Sequence, residues 1–218
     1  MEDAAQIAFR RRPISNLVIA HRRSLVYLGN VVFALYAGGF AYIMLADFLV
    51  NHRASSLLLI VFDGLVAFFA ATRDMPKEIN VSIRDWIFGF LSFVPLLLRP
   101  APEVHDNLLL LAVQIFGQTV AVAGALSLNS SFGIVAANRG VKTGGLYRFV
   151  RHPIYFGFFV LLGSYLVQNL TVRNAVVFGT YIGVQLTRMI LEERVLCRDP
   201  EYASYARRTR WRVLPFIY

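Results

Sequence analysis

The chain has 218 residues, 57% hydrophobic and 16% charged, with a formal net charge of +9 and a mean hydropathy of +0.56. That balance is too apolar for an ordinary water-soluble domain and points to an integral membrane protein. Cys197 is the only cysteine, which excludes an intrachain disulfide and a cysteine-rich metal site.

Residues 1 to 23 form a basic lead with Arg10, Arg11, Arg12, Arg22 and Arg23, expected to be interfacial or mobile. The run Ser24 to Val50 is too long for a secretory signal and lacks a clear small-residue cleavage pattern, so it is read as an uncleaved first span. Ser55 to Thr72, Asn107 to Leu128, Ile154 to Leu170 and Asn174 to Leu191 are further apolar runs of spanning or near-spanning length. Asp85 to Leu98 is a shorter sixth candidate. Because it contains Pro95, a kinked span, a re-entrant piece and an interfacial helix all remain open. The connections Asn51 to Ala54, Arg73 to Arg84 and Arg99 to Asp106 are too short for a folded extramembrane domain.

The placement of the basic residues sets an orientation. Arg73, Lys77 and Arg84 follow the second run, Arg139, Lys142, Arg148 and Arg151 follow the Asn107 to Leu128 run, and the tail carries Arg194, Arg198, Arg207, Arg208, Arg210 and Arg212. A six-span reading leaves only Arg53, Arg99 and Arg173 on the opposite side, which puts both termini in the cytoplasm. The surplus is thus read as orientation and attraction to anionic headgroups, with no nucleic-acid partner. The expected fold is an all-α, polytopic transmembrane helical bundle of five to six spans, with a C-terminal helical hairpin and a cytoplasmic cofactor pocket. Residues 1–128 supply N-terminal transmembrane helices. Residues 129–218 supply a binding loop, the hairpin and the tail, in one integrated membrane domain.

The long connection Asn129 to Pro153 carries Gly133, Gly140, Gly144 and Gly145, so its backbone can turn sharply and approach a ligand. Only Thr171, Val172 and Arg173 separate the last two apolar runs. That forces an antiparallel hairpin and brings two polar clusters to one membrane face: Arg151, His152 and Tyr155 at one end, Glu192 and Glu193 at the other. Pro153 suits the first position of a helix, whose open N–H groups favour an anionic ligand group. Arg151 adds a fork of donors. Adjacent glutamates diverge by about 100° on a helix, so they grip two parts of a ligand rather than one atom. Arg188 one turn before Glu192 offers a helical ion pair in the weaker order. After Leu196 the chain turns polar and aromatic, as expected of a tail that folds back as a lid.

Asp47, Asp63, Gln114, Gln118 and Gln185 interrupt apolar runs, and Asp63, the most isolated, is expected to face the bundle interior or water. Gly38, Gly39, Gly157, Gly163, Gly179 and Gly183 are read as close helix packing. No phosphate loop, dinucleotide fingerprint, zinc-helix motif or nucleophile elbow is found, and His21, His52, His105 and His152 are scattered, so no metal is expected.

Gly145, Leu146 and Tyr147, followed by Arg151, His152, Pro153, Tyr155 and Gly157, then Glu192, Glu193 and Leu196, then Tyr202, Tyr205 and Arg212 to Pro215, resemble the signature of the isoprenylcysteine carboxyl methyltransferases and their phospholipid-methylating relatives. The resemblance runs from about Leu128 to the C-terminus. Leu146 stands where the family usually has Pro. The resemblance implies S-adenosylmethionine as cofactor and a lipophilic small molecule or lipid as methyl acceptor. It also implies a cofactor site of Tyr147, Arg151, His152, Tyr155, Gly157, Glu192, Glu193 and Leu196, with Arg151, His152 and Glu193 as catalytic groups. It places the protein in a bacterial inner membrane, or the endoplasmic reticulum of a eukaryote. Two alternatives remain: a nicotinamide-dependent reductase of the sterol-reductase type, whose motif differs at Ile154 and Phe158, and a non-catalytic membrane protein.

Overall fold

The computed structural model describes residues 22–72, 87–88, 91–102, 104–128, 143–214 and 217. The basic lead before Arg22, the 73–84 connection, Gly133 and Gly140 of the long loop, and Pro215 lie outside the described residues. Within them the regular elements are helices: α1 Arg22–Asn51, α2 Ala54–Thr72, α3 Leu108–Leu128, α4 Pro153–Gln168, α5 Val172–Leu196 and α6 Pro200–Arg208, with 3-10 turns at Val94–Leu97 and Gly145–Arg148.

Two helices are long and apolar enough to cross a membrane, α1 through Ala34–Asn51 and α3 through Leu108–Ser127. α2 over Ala54–Leu65 and α4 are apolar but shorter. The 16 residues of α4 rise about 24 Å, less than a hydrocarbon core of about 30 Å. The Asp85 to Leu98 candidate is not one continuous helix. Pro95 sits in the Val94–Leu97 turn, where its missing N–H breaks the helical ladder. The segment runs antiparallel to α5: Ser92 Oγ donates to Gln185 Oε1 at 3.1 Å, and Arg99 exchanges backbone bonds with the Asn174 side chain at 3.1 and 2.8 Å.

In lipid, helices associate through close packing and polar contacts more than through apolar transfer. Gly157 shows the first: a Cβ there would lie 2.5 Å from Ala121 N and Gly117 O, so α3 and α4 touch backbone to backbone. Gly163 packs against Phe178, but a Cβ at Gly38, Gly39, Gly179 or Gly183 would meet nothing within 4 Å. These four face outward, which corrects their reading as packing positions. Phe40, Met44, Leu59, Phe62, Leu96, Leu161, Tyr165 and Tyr181 form the shared core, with the Phe62 ring edge-on to Phe158 at 4.8 Å. Asp63 and Gln114 are buried in the bundle, at 5% and 0% exposure.

Polar contacts lock the end of the bundle where α1 turns into α2 and α4 into α5. Arg53 pairs with Asp47 at 3.3 Å and donates to Ala101 O at 2.8 Å. Asn169 Oδ1 accepts from Ala101 N at 3.0 Å, and Gln168 Nε2 donates to Asp106 at 2.6 Å and to Ser55 Oγ at 3.0 Å. Thr171 Oγ1 accepts from Asn174 N, and Asn174 Nδ2 also donates to Asn169 O. This tight bend sends α5 back along the bundle and delivers its far end to the start of α4.

Candidate functional site

Three chain segments meet at the start of α4. The first is the turn Gly145–Arg148. Gly145 has φ +58, a left-handed backbone that favours glycine, and a Cβ there would lie 2.8 Å from Ser127 Oγ. The turn buries Tyr147 against Tyr202, Tyr205 and Leu196. Tyr205 Oη donates to Tyr147 O at 2.6 Å, tying α6 to the turn.

The second segment is Arg151–His152, at the mouth of α4. His152 stands at the N-cap position without a side-chain cap bond; its ring instead turns toward α5. His152 Nε2 lies 3.1 Å from Glu193 Oε1, and Arg151 Nη1 forms an ion pair with Glu193 Oε2. Tyr202 Oη donates to Glu193 Oε1 at 2.8 Å, and Arg212 Nε lies 3.7 Å from Oε2. Burial pushes the Glu193 carboxyl up. The hydrogen bonds from His152 and Tyr202, together with the Arg151 charge, overcome this and hold it below its ordinary value. An ionised carboxylate only accepts, so the His152 ring donates Nε2–H to it. Burial first, then the Glu193 charge, raises the Tyr202 phenol well above its usual range, so it remains a donor.

Glu192 makes a second centre beside the first. Tyr155 Oη lies 3.0 Å from both Glu192 oxygens, and Arg188 Nε pairs with Oε1 at 3.0 Å. Arg188 Nη1 donates to Ser92 Oγ at 3.1 Å. Tyr155 also stacks on the His152 ring, centroids 5.3 Å apart and planes 14° from parallel. The two glutamate centres are therefore joined by an aromatic pair.

The third segment is the tail. Asp199 caps α6 by accepting from Glu201 N at 2.8 Å. Beyond α6 the chain returns over the loop: Arg151 N–H donates to Trp211 O at 2.9 Å and His152 N–H to Arg212 O at 2.7 Å. Arg151 Nη2 reaches Arg210 O at 3.4 Å. These contacts pin the returning tail to the loop just ahead of α4.

Residues 108–198 match the model of the isoprenylcysteine carboxyl methyltransferase (ICMT) family.

The match supports a membrane methyltransferase in general. No curated protein matches the chain. The ICMT segment contains α3, α4 and α5 with both polar clusters, and it ends before α6 and the tail, which supply Tyr202, Tyr205 and Arg212.

Of the residues singled out from sequence, Tyr147, Arg151, His152, Tyr155, Glu192, Glu193 and Leu196 come together at this end of the bundle. Gly157 does not join the polar group; it lies in the α3–α4 contact. Ser92 carries no signal in the sequence, and Arg188 is marked there only by its helical pairing with Glu192, which does form. The signal available for Arg188 was a cation near the end of an apolar run, whose neighbours must be polar. Among the described residues no three of His, Cys, Asp and Glu come together as a metal site.

Proposed function

We propose that the chain is a multi-pass membrane methyltransferase. It takes a methyl group from S-adenosylmethionine and passes it to a carboxylate or amine of a lipophilic acceptor at the cytoplasmic face. Six spans with both termini in the cytoplasm fit this reading, because Arg53, Arg99 and Arg173 are the only arginines or lysines it assigns to the other side. The observation that carries the proposal is the meeting of Arg151, His152 and Tyr155 with Glu192 and Glu193, inside the segment that matches the ICMT family.

The donors and acceptors suit the charged amino-acid end and the hydroxyls of that cofactor. Arg151 Nε is buried without a hydrogen-bond partner among the described residues, a donor suited to a carboxylate. Glu192 Oε2 is engaged by Tyr155, with lone-pair capacity left for an ammonium or for hydroxyls. Glu193 differs: its oxygens already hold Arg151, His152, Tyr202 and Arg212. We assign Glu192 to ligand contact and Glu193 to positioning Arg151 and His152.

The cofactor, when bound, supplies an electrophilic methyl group for direct displacement. Arg151 and Glu192 orient the ligand, and the tail over Arg151–His152 helps exclude water. A carboxylate acceptor, with a pKa of about 4, arrives ionised and needs no base. For an amine acceptor, His152 is the group to take the proton: its Nε2–H is given to Glu193, which leaves Nδ1 as the acceptor. Membranes containing the protein, incubated with methyl-labelled S-adenosylmethionine, are expected to carry label into an organic-extractable fraction. An absence of label in lipid, small molecule and protein would refute transfer.

A further inference from the structure

At the end of the bundle remote from the site, Asn174 holds the backbone of Arg99 beside the segment that carries Arg173. Its Oδ1 accepts from Arg99 N at 3.1 Å and its Nδ2 donates to Arg99 O at 2.8 Å, which seats Arg99 against the neighbour of Arg173. Arg99 Nη1 donates to the carbonyls of Leu96 at 3.2 Å and Leu98 at 2.8 Å. One edge of the guanidinium is thereby fixed. Tyr36 of α1 lies within electrostatic reach of both arginines.

The carboxylates nearby are engaged elsewhere. Asp47 holds Arg53, Ser56 and Asn51, and Asp106 holds Ser55 N and Gln168. Among the described residues no carboxylate forms an ion pair with Arg99 or Arg173. Burial first, and then the Arg173 charge, lowers the Arg99 pKa from its ordinary value, as expected of like charges without a counter-ion. The positive-inside pattern disfavours cations on this side, yet two are kept together. Leu170, Val172 and Val176, next to Arg173, are exposed apolar side chains.

We propose that Arg99 and Arg173 bind the phosphate of an anionic membrane lipid, whose acyl chains lie on Leu170, Val172 and Val176. An arginine fork matches phosphate oxygens, and the apolar rim accepts chains that a free anion lacks. α4 separates this place from the Glu193 cluster by about 24 Å, so the lipid is not the methyl acceptor in the site.

Native mass spectrometry of the full-length protein in detergent tests this, with phosphatidylglycerol and phosphatidylcholine offered at equal concentration and inorganic phosphate as a third arm. The wild type is expected to retain phosphatidylglycerol about fivefold better per arginine engaged. Arg173→Gln, at an exposed position, should lower that preference about fivefold, as should Arg99→Gln. If the latter fails to fold, Arg173→Gln carries the test. Arg207→Gln, at the other end of the bundle, should keep the preference. Equal retention of both lipids by the wild type, an undiminished preference in Arg173→Gln, equal loss in Arg207→Gln, or an effect of inorganic phosphate without one of phosphatidylglycerol would each overturn the proposal.

Discussion

His152 and Glu193, 41 residues apart in the chain, share a contact of 3.1 Å between Nε2 and Oε1, and that contact closes the α4–α5 hairpin at the end opposite its bend. Because Arg151, Tyr202 and Arg212 converge on the same carboxylate, Glu193 links loop, hairpin and tail. Glu193→Gln removes the charge but keeps the shape, leaving Arg151 buried without its counter-ion. The expected loss is about 3–5 kcal/mol, read by denaturant titration in detergent. A double-mutant cycle with Arg151→Gln should give a coupling of about 0.5–3 kcal/mol, and additive effects would show that the two do not act as a pair.

The pH dependence has a definite sign. The Glu193 carboxyl is held below its ordinary value of 4.5, so its ionised form is favoured by folding. Its contribution is fully present above that ordinary value and is lost as pH falls through the folded-state value. As pH falls below the ordinary value of 4.5, the wild-type melting temperature should fall more steeply than that of Glu193→Gln. Parallel curves would remove Glu193 from the stability of this end.

The tail can be examined through backbone exchange. The amides of Arg151 and His152 donate to Trp211 O and Arg212 O and should exchange slowly with solvent deuterium in the full chain. Truncation after Arg208 removes both acceptors. Faster exchange at the 151–152 segment, with the α1 and α3 peptides unchanged, is the expected outcome, whereas unchanged protection would mean that the tail does not cover the loop.

Glycines that look alike in sequence should respond differently to alanine. At Gly157 a Cβ would lie 2.5 Å from α3 backbone atoms, which do not yield as a flexible side chain does. Gly157→Ala should therefore destabilise by about 1–3 kcal/mol. Gly179→Ala meets nothing within 4 Å and should stay within about 0.5 kcal/mol of the wild type. Equal melting temperatures for the two variants would contradict the backbone contact.

The hairpin was legible because two apolar runs separated by Thr171, Val172 and Arg173 leave almost no other geometry, and Arg151, His152, Tyr155, Glu192 and Glu193 then had to share one end. The division of labour between the glutamates was not legible. On a helix they differ only by about 100°, and which of them meets His152 depends on how α4 and α5 are rotated, a property of packing. The return of the tail over the loop was legible in its polar and aromatic composition, but where it lands was not: its bonds at Arg151 and His152 are backbone to backbone and leave no side-chain signal. Gly179 and Gly183 carry the spacing of a packing motif, but spacing does not say which face of α5 the bundle buries. Pro95 explains why the Asp85 to Leu98 run breaks into a short turn, although three arrangements were compatible with its presence.

Calorimetric titration of the purified full-length protein with S-adenosylmethionine, its demethylated product and a reduced nicotinamide dinucleotide tests the proposed chemistry most directly. Saturable binding of the first two, on the order of micromolar and so about −8 kcal/mol, weakened at least tenfold by Glu192→Gln and with no heat from the nicotinamide, is the expected result. Saturable nicotinamide binding with no heat from either sulfur compound would contradict it.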